Sequence, residues 1–273
     1  MTDPRPIGVF DSGVGGLTVL REIVRRLPSE STLYLGDNAR TPYGIRPDAE
    51  VMTFSTQSLD ALVERDVKAL VVACNTSTAV GLAAYRRRYD LPVLGVIRAG
   101  ATAAALATRN RRVGVIATPA TIRSHAYLAA IQAENPSLEV IEQATPTLVP
   151  LVEAGELHGA VAEAAVADAL APLAGAGVDT LLLGCTHYPL LRPLIAAVVG
   201  DSVAIVDSAT ATASALAELL SIVGLEAPVD DTRPATHLQL TTGDAASFHD
   251  LAARLFGAAF PEVETIDLAV PVR

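Results

Sequence analysis

The chain contains two cysteines, and both stand where a thiol could take part in proton transfer. Cys74 and Cys185 each end a short apolar run that is typical of a buried strand, and each precedes a turn that bears threonine. A cysteine just before a helix N-terminus experiences the helix dipole, which lowers the thiol pKa and favours the thiolate. His187 follows Cys185 by two residues and could carry a proton. The pattern predicts thiol chemistry at both positions.

Several other kinds of cysteine site compete with this interpretation. A disulfide is disfavoured in a reducing cytoplasm, and a zinc site needs three or four ligands, whereas no histidine is clustered with Cys74. A C-x-x-C redox pair is absent, and a single cysteine nucleophile leaves one thiol unexplained. Each cysteine alone is more typical of an inert buried residue. One interpretation uses both cysteines. A thiolate takes a proton from one face of a carbon and a thiol protonates the opposite face, which inverts a stereocentre.

Composition and charge exclude several classes of protein. The chain has 273 residues, of which 51% are hydrophobic and 18% charged, so it is neither disordered nor fibrous. Its net charge of −10 argues against binding to nucleic acid or to an anionic membrane surface. The first residues lack the pattern of a signal peptide, and no apolar run is long enough for a membrane span. We therefore expect a soluble, cytoplasmic protein.

Short apolar runs alternate with helical stretches along the chain, which predicts an α/β fold with mainly parallel sheets. The predicted strands are Ile7–Phe10, Thr32–Leu35, Ala69–Ala73, Pro92–Val96, Arg112–Ala117, Glu139–Glu142, Thr180–Leu183, Val203–Val206, His237–Leu240 and Val263–Ile266. The predicted helices are Gly16–Leu27, Ala49–Arg65, Thr76–Tyr89, Thr121–Glu134, Glu156–Leu173, Leu190–Val199 and Ala209–Val223. Val229–Ala235 is predicted to be a solvated loop.

The chain contains two stretches with a similar order of features. Ile7–Gly13 resembles Arg112–Pro119, with Asp11 set against Thr118, and at nearly the same separation Ala69–Thr76 resembles Thr180–His187. All parallel-strand proteins show some similarity of this kind, but here each copy also carries one cysteine. The comparison predicts two related α/β units that bring both thiols to a shared cleft.

Other loops at predicted strand ends also carry polar groups, and ligands of open α/β sheets bind there. Phe10–Gly16 is rich in glycine but matches neither the dinucleotide nor the Walker pattern. Its N–H groups suit a small anion, while Asp11 or Ser12 could equally be a plain helix cap. Gly36–Gly44 is a polar turn. The hydroxyl and amide groups that could hold a carboxylate are those of Asn75, Thr76 and Thr186.

Four motifs carry a resemblance to a known family. Val9–Thr18, Leu35–Gly44, Ala73–Thr76 and Leu183–Leu191 are similar, in the same order, to motifs of the glutamate racemases, in the cofactor-independent aspartate/glutamate racemase superfamily. They extend over roughly the first seven-tenths of the chain. Ala99 departs from the pattern, since the family commonly has proline there, and this puts interdomain geometry or regulation in question.

The resemblance implies two α/β domains that face each other across a cleft, one formed by residues 1–97 and 208–273 and the other by residues 98–207. It implies that Cys74 is the base for D-glutamate and Cys185 the base for L-glutamate. Asp11 would assist Cys74, and His187 would assist Cys185. The substrate-binding residues it implies are Asp11, Ser12, Tyr43, Gly44, Asn75, Thr76, Thr186 and His187.

The resemblance also implies a homodimer, a reaction without pyridoxal phosphate or metal, and a role in supplying D-glutamate for peptidoglycan. Because no electron sink is then available, hydrogen bonds in a closed, dry cleft must stabilise the deprotonated carbon. Two alternatives stay open. One is a racemase for aspartate, although aspartate racemases tend to have Glu at the place of His187. The other is a binding protein, since some members of the family affect DNA gyrase; this acidic chain would then contact a basic patch on its partner protein.

Overall fold

The structure is a computed structural model that describes residues 2–228, 234–257 and 263–268. Residues 229–233 of the predicted Val229–Ala235 loop therefore lie outside the described residues. Each predicted strand is present, within one or two residues at its ends. In chain order the strands are β1 Ile7–Asp11, β2 Thr32–Gly36, β3 Ala69–Val72, β4 Val93–Gly95, β5 Arg112–Ala117, β6 Glu139–Ala144, β7 Thr180–Gly184, β8 Ala204–Asp207, β9 His237–Thr241 and β10 Val263–Thr265.

The strands form two sheets with the same arrangement. The first has the order β10-β9-β2-β1-β3-β4 and the second the order β6-β5-β7-β8. Without its two C-terminal strands, the first sheet has the same strand order as the second. All strand pairs among the described residues are parallel. The predicted α/β fold with parallel sheets is confirmed, and the shared strand order agrees with the similarity between the two stretches of sequence.

Burial explains why the central strands consist of continuous apolar runs. All five residues of β1 and all five of β7 are buried, because helices cover both faces of a parallel sheet. Separate clusters of buried apolar side chains pack on the two faces of each sheet. The C-terminal part of the chain returns to the first sheet, where His237 pairs with Thr32 in β2.

Eleven α-helices connect and cover the strands in the described part of the chain. They are α1 Leu17–Arg26, α2 Asp48–Val63, α3 Asn75–Arg88, α4 Val96–Ala107, α5 Pro119–Arg123, α6 Ala126–Glu134, α7 Leu148–Glu153, α8 Ala160–Leu170, α9 Arg192–Val199, α10 Ala209–Val223 and α11 Ala245–Phe256. Helices α4, α7 and α11 were not predicted from the sequence. Two predicted helices differ from the structure.

The first of these, predicted over Thr121–Glu134, is divided into α5 and α6. His125 separates them with a left-handed backbone angle φ of 51°, which a continuous right-handed helix excludes. The second, predicted to begin at Glu156, begins at Ala160 because Gly159 has a φ of 86°. Glycine adopts this backbone conformation without the steric cost that other residues incur.

Among the residues that the structure describes, every helix is too short or too polar to span a bilayer.

Candidate active site

The two cysteines line one cleft between the carboxyl ends of the two sheets. Cys74 is separated from the end of β3 by Ala73 alone, and Cys185 directly follows β7. In each sheet this point lies beside the strand at which the chain reverses its direction of winding, which is where open α/β sheets bind ligands. The cleft is narrow, with a cavity volume of about 60 Å³. Its wall is formed by Ser12, Pro42, Tyr43, Gly44, Ile45, Cys74, Asn75, Thr76, Thr118, Pro119, Thr145, Pro146, Val149, Pro150, Cys185, Thr186 and His187.

The Cys74 thiol is the N-cap of α3, as the sequence predicted. Its Sγ accepts a hydrogen bond from the Ser77 backbone N–H at 3.4 Å and lies 3.6 Å from the Ser12 hydroxyl. Burial, together with the nearby Asp11 carboxylate, raises the pKa of Cys74 to about 12, and the contacts with Ser77 and Ser12 offset this only in part. The predicted lowering of the thiol pKa by the helix N-terminus was therefore wrong for Cys74. Desolvation outweighs the helix dipole there.

Cys185 has different surroundings. It precedes a 3₁₀ turn at Tyr188–Leu191 rather than an α-helix. Its Sγ lies 3.8 Å from His187 Nδ1, while His187 Nε2 lies 2.6 Å from Glu153 Oε1. Burial by itself would lower the pKa of His187, but the contacts with Cys185 and Glu153 raise it well above its usual value. The arrangement suits an imidazolium held between the Cys185 sulfur and the Glu153 side chain.

Asp11 is fully buried at the end of β1. Its Oδ2 accepts hydrogen bonds from the backbone N–H groups of Gly13 and Gly16 at 3.2 and 3.0 Å. Its Oδ1 accepts a bond from the Thr186 hydroxyl at 3.3 Å. Burial, which the positive charge of His187 partly opposes, raises the pKa of Asp11 to about 6. Asp11 thus acts on Cys74 through its charge and is hydrogen-bonded to the loop that carries Cys185.

Hydroxyl groups from both sheets meet at one side of the cleft. Thr76 Oγ1, after β3, lies 2.9 Å from Thr118 Oγ1 and 3.2 Å from Thr121 Oγ1. Thr118, which follows β5, is also the N-cap of α5. Asn75 lies beside this cluster, and its Nδ2 is buried without a hydrogen-bond partner in the part of the chain that the structure describes. These groups offer donors for a carboxylate.

Tyr43 and Gly44 come from the polar turn after β2. The Tyr43 hydroxyl donates to Asp37, which also accepts from the Arg40 guanidinium at 2.7 Å. Its hydroxyl is therefore engaged within the turn, and Tyr43 contributes its ring to the cleft wall. A Cβ atom on Gly44 would overlap the side chain of Thr118. Glycine at this position allows the turn of the first sheet to contact the second.

Comparison with known proteins decides the family. The model of the Asp/Glu/Hydantoin racemase family matches residues 7–216. A glutamate racemase of Shouchella clausii is 47% identical over 98% of this chain and 96% of its own length. The chain belongs to the glutamate racemases. A glutamate racemase structure from Bacillus anthracis superposes with a TM-score of 0.90 at 42% identity, covering 97% of this chain and 98% of that one.

Another structure of this family was solved in complex with D-glutamate. It comes from Francisella tularensis and matches with a TM-score of 0.89 at 33% identity, over 97% of this chain and 98% of the other. An aspartate racemase of Picrophilus torridus is only 16% identical, with a TM-score of 0.57. That likeness concerns the fold alone.

All the residues that the racemase resemblance implied lie in or beside the cleft, but other polar residues near it were missed. Thr118 had one signal, since it matches Asp11 in the internal comparison of the sequence. Glu153 had none, because it ends the unpredicted helix α7. Tyr127 is buried on α6, and its hydroxyl reaches Asn75 across the two halves. Within the described ranges, no group of three or more His, Cys, Asp or Glu side chains is placed to hold a metal ion.

Proposed function

We propose that the protein interconverts L- and D-glutamate by a transfer of protons between the substrate Cα and two cysteines. The observation that carries the proposal is that the two thiols follow equivalent strands of two matching sheets and line one cleft. The name glutamate racemase, borne by relatives with 47% and 45% identity over nearly the whole chain, supports glutamate as the substrate.

Each direction of the reaction uses one thiolate and one thiol. With D-glutamate, the Cys74 thiolate takes the α-proton and becomes a thiol, while the Cys185 thiol gives its proton to the opposite face of Cα. With L-glutamate the two cysteines exchange roles. The electron pair of the broken C–H bond remains with the substrate, shared between Cα and its carboxylate, and forms the new C–H bond, so nothing is oxidised or reduced.

The surroundings of the two sulfurs suggest how each thiolate arises. On one side, the imidazolium of His187, held by Glu153, stabilises the Cys185 thiolate. On the other side, the pKa of Cys74 is about 12, so this thiol needs a further positive charge before it can lose its proton near neutral pH. We assign that role to the α-ammonium group of the bound substrate, since a nearby cation favours the charged form of a thiol.

The substrate carboxylates require donors in a cleft from which water is excluded. Asn75 offers an amide N–H₂, and Ser12, Thr76 and Thr186 offer hydroxyls along the same wall. Such donors stabilise the negative charge that moves from Cα onto the α-carboxylate as the proton leaves. The apolar part of the wall, formed by four prolines, Ile45 and Val149, keeps the site dry.

We further propose that the two sheets belong to separate domains, residues 1–97 with 208–273 and residues 98–207. Movement of these domains would admit and enclose the substrate. In this proposal the protein is a cytoplasmic homodimer that supplies D-glutamate for peptidoglycan. These last statements rest on the family resemblance.

Proton NMR of L-glutamate in D₂O tests the function. The purified protein, supplied with chelator and without pyridoxal phosphate, is expected to remove the α-proton signal and the optical activity together. Cys74→Ala and Cys185→Ala are each expected to reduce racemisation by at least about 10³-fold, because the reaction lacks one of its two proton carriers. Near-normal racemisation by either variant would refute the two-cysteine reaction. Turnover of aspartate without turnover of glutamate would refute the substrate.

A further inference from the structure

Tyr127 forms a hydrogen bond that joins the two halves of the molecule next to Cys74. It lies on α6, which follows the first strand of the second sheet, and it is completely buried. Its hydroxyl donates to Asn75 Oδ1 at 2.5 Å. Asn75 is the first residue of α3 and immediately follows Cys74. The bond therefore connects a core residue of one half with a residue of the cleft wall in the other.

This bond uses one end of the Asn75 amide and leaves the other end without a partner. Oδ1 is occupied by Tyr127, whereas Nδ2 is buried and has no acceptor among the residues that the structure describes. A buried N–H₂ group without an acceptor is unfavourable. Because Asn75 lines the cleft, a bound carboxylate is the acceptor that would satisfy it.

An asparagine amide cannot fix its own orientation, because its oxygen and nitrogen ends have nearly the same size and shape. A flipped Asn75 would turn its carbonyl oxygen toward the carboxylate and repel it. The Tyr127 hydroxyl donates to Oδ1, and this bond favours the unflipped amide. Burial raises the pKa of Tyr127 well above its usual value, so the hydroxyl stays protonated and can donate at any pH of interest.

The Tyr127 hydroxyl lies where the chain passes between the two sheets. Gly100 is on α4, which connects β4 of the first sheet to β5 of the second. Ser208 lies between β8 and α10, where the chain leaves the second sheet. A Cβ atom on Gly100 would lie 3.1 Å from Ser208 Cβ and 3.4 Å from the Tyr127 hydroxyl oxygen. Close packing at this crossover holds the hydroxyl in place.

We propose that Tyr127 is a positioning residue, which orients the Asn75 amide toward the substrate carboxylate and couples the crossover between the sheets to substrate binding. This inference rests on the proposed function. Tyr127 does not touch the reacting atoms and acts through Asn75.

Tyr127→Phe tests the inference, because it keeps the ring and removes the hydrogen bond. We expect kcat/KM for glutamate to fall about 10-fold, mainly through a higher KM, since a misoriented amide loses a bond to a charged group. Tyr89→Phe is the matched control. The Tyr89 hydroxyl donates to Asp60 Oδ1 at 2.8 Å, and neither residue is part of the cleft wall. This variant should retain kcat/KM.

A double-mutant cycle separates positioning from a general effect on stability. In the Asn75→Ala background, Tyr127→Phe should cause no further loss of kcat/KM, because the amide it orients is gone. Circular dichroism and thermal unfolding are recorded for every variant. If Tyr127→Phe alone unfolds, the comparison of Asn75→Ala with the double variant still applies, because the double variant leaves no Asn75 amide unpaired.

Two results would overturn the inference. One is a folded Tyr127→Phe enzyme whose kcat/KM stays within about twofold of the original. The other is a loss in the Asn75→Ala background as large as the expected loss for Tyr127→Phe alone. The unsubstituted protein in the same assay keeps the two proposals apart. Its failure to turn over glutamate would refute the proposed function, whereas normal turnover with either result above would refute only the role of Tyr127.

Discussion

The contact between His187 and Glu153 allows a quantitative prediction about pH. Glu153→Gln keeps the size of the side chain and removes its charge, at a distance of 2.6 Å from His187 Nε2. The contacts of His187 with Cys185 and Glu153 raise its pKa against the effect of burial. With Gln at position 153, we therefore expect this pKa to fall.

The size of the change follows from the electrostatics of the pair. Two unit charges about 4 Å apart interact by roughly 4 kcal/mol at an effective dielectric constant near 20. The Glu153 side chain is 21% exposed, so solvent and the new amide hydrogen bond reduce the lost interaction with the imidazolium to about 2 kcal/mol. At any fixed pH, a loss of about 2 kcal/mol makes the ratio of imidazolium to imidazole about 30-fold lower.

The assay is the pH dependence of kcat/KM for L-glutamate, combined with NMR of ¹³C-labelled histidine to follow the pKa of His187. If the imidazolium supports the Cys185 thiolate, activity is lost as pH rises through that pKa. The alkaline limb of the profile should therefore move to lower pH in Glu153→Gln, by the same number of units as the histidine resonance.

Glu142→Gln is the matched control for this experiment. Glu142 forms a histidine contact of the same length, 2.6 Å to His125 Nδ1, away from the cleft wall. It should leave the profile unchanged. An alkaline limb that stays in place in Glu153→Gln, or that moves as much in Glu142→Gln, would show that the reasoning about His187 is wrong.

Two further predictions concern stability and the packing between the two halves. Because the pKa of buried Asp11 is raised to about 6, its ionisation lowers the stability of the folded protein as pH rises from about 4 to 6. Asp11→Asn should therefore raise the free energy of unfolding by up to about 3 kcal/mol above pH 6 and have little effect below pH 4. The measurement is urea unfolding at several pH values. The control is Asp244→Asn, which alters an exposed N-cap whose pKa is lowered and should not stabilise the protein at pH 5 to 8. A stabilisation by Asp11→Asn that is equal at pH 4 and pH 8 would contradict the argument. Gly44→Ala should raise KM by about 10-fold or more, since its Cβ atom would overlap Thr118 and separate the two halves. Adding Thr118→Gly should restore part of this loss. An unchanged KM for Gly44→Ala in steady-state kinetics would exclude a tight contact there.

The strands and the two cysteines were predictable because the relevant signals are local. A run such as Leu181–Leu183 is apolar throughout, and the turn residues that follow mark its end. Parallel strands in an α/β fold then place both cysteines at the carboxyl ends of sheets. The similarity of the two halves added that the cysteines could face one cleft.

Burial and long-range partners were not predictable in the same way. The sequence showed that Cys74 precedes a helix, but it could not show that desolvation of the sulfur would exceed the effect of that helix on the pKa. Glu153 lies on a six-residue helix that contains Pro150, and so short a helix has too few turns to show periodicity. Its contact with His187 depends on how α7 packs on the rest of the second half.

The break at His125 illustrates a third limit. The sequence from Thr121 to Glu134 is compatible with one helix, and no glycine or proline marks the interruption. The structure instead has two helices with a left-handed residue between them. The second of these helices carries Tyr127, so the direction of this hydroxyl could not be inferred from helical periodicity.

The unequal surroundings of the two sulfurs have a thermodynamic consequence. L- and D-glutamate have the same free energy in water, so their equilibrium constant is one and the Haldane relation requires equal kcat/KM in the two directions. Cys74 contacts the Ser12 hydroxyl and the Ser77 N–H group, whereas Cys185 lies beside the pair of His187 and Glu153. This asymmetry cannot make the enzyme favour one enantiomer at equilibrium. It can only divide the same specificity constant differently, so that the enantiomer with the lower KM is also the one with the proportionally lower kcat.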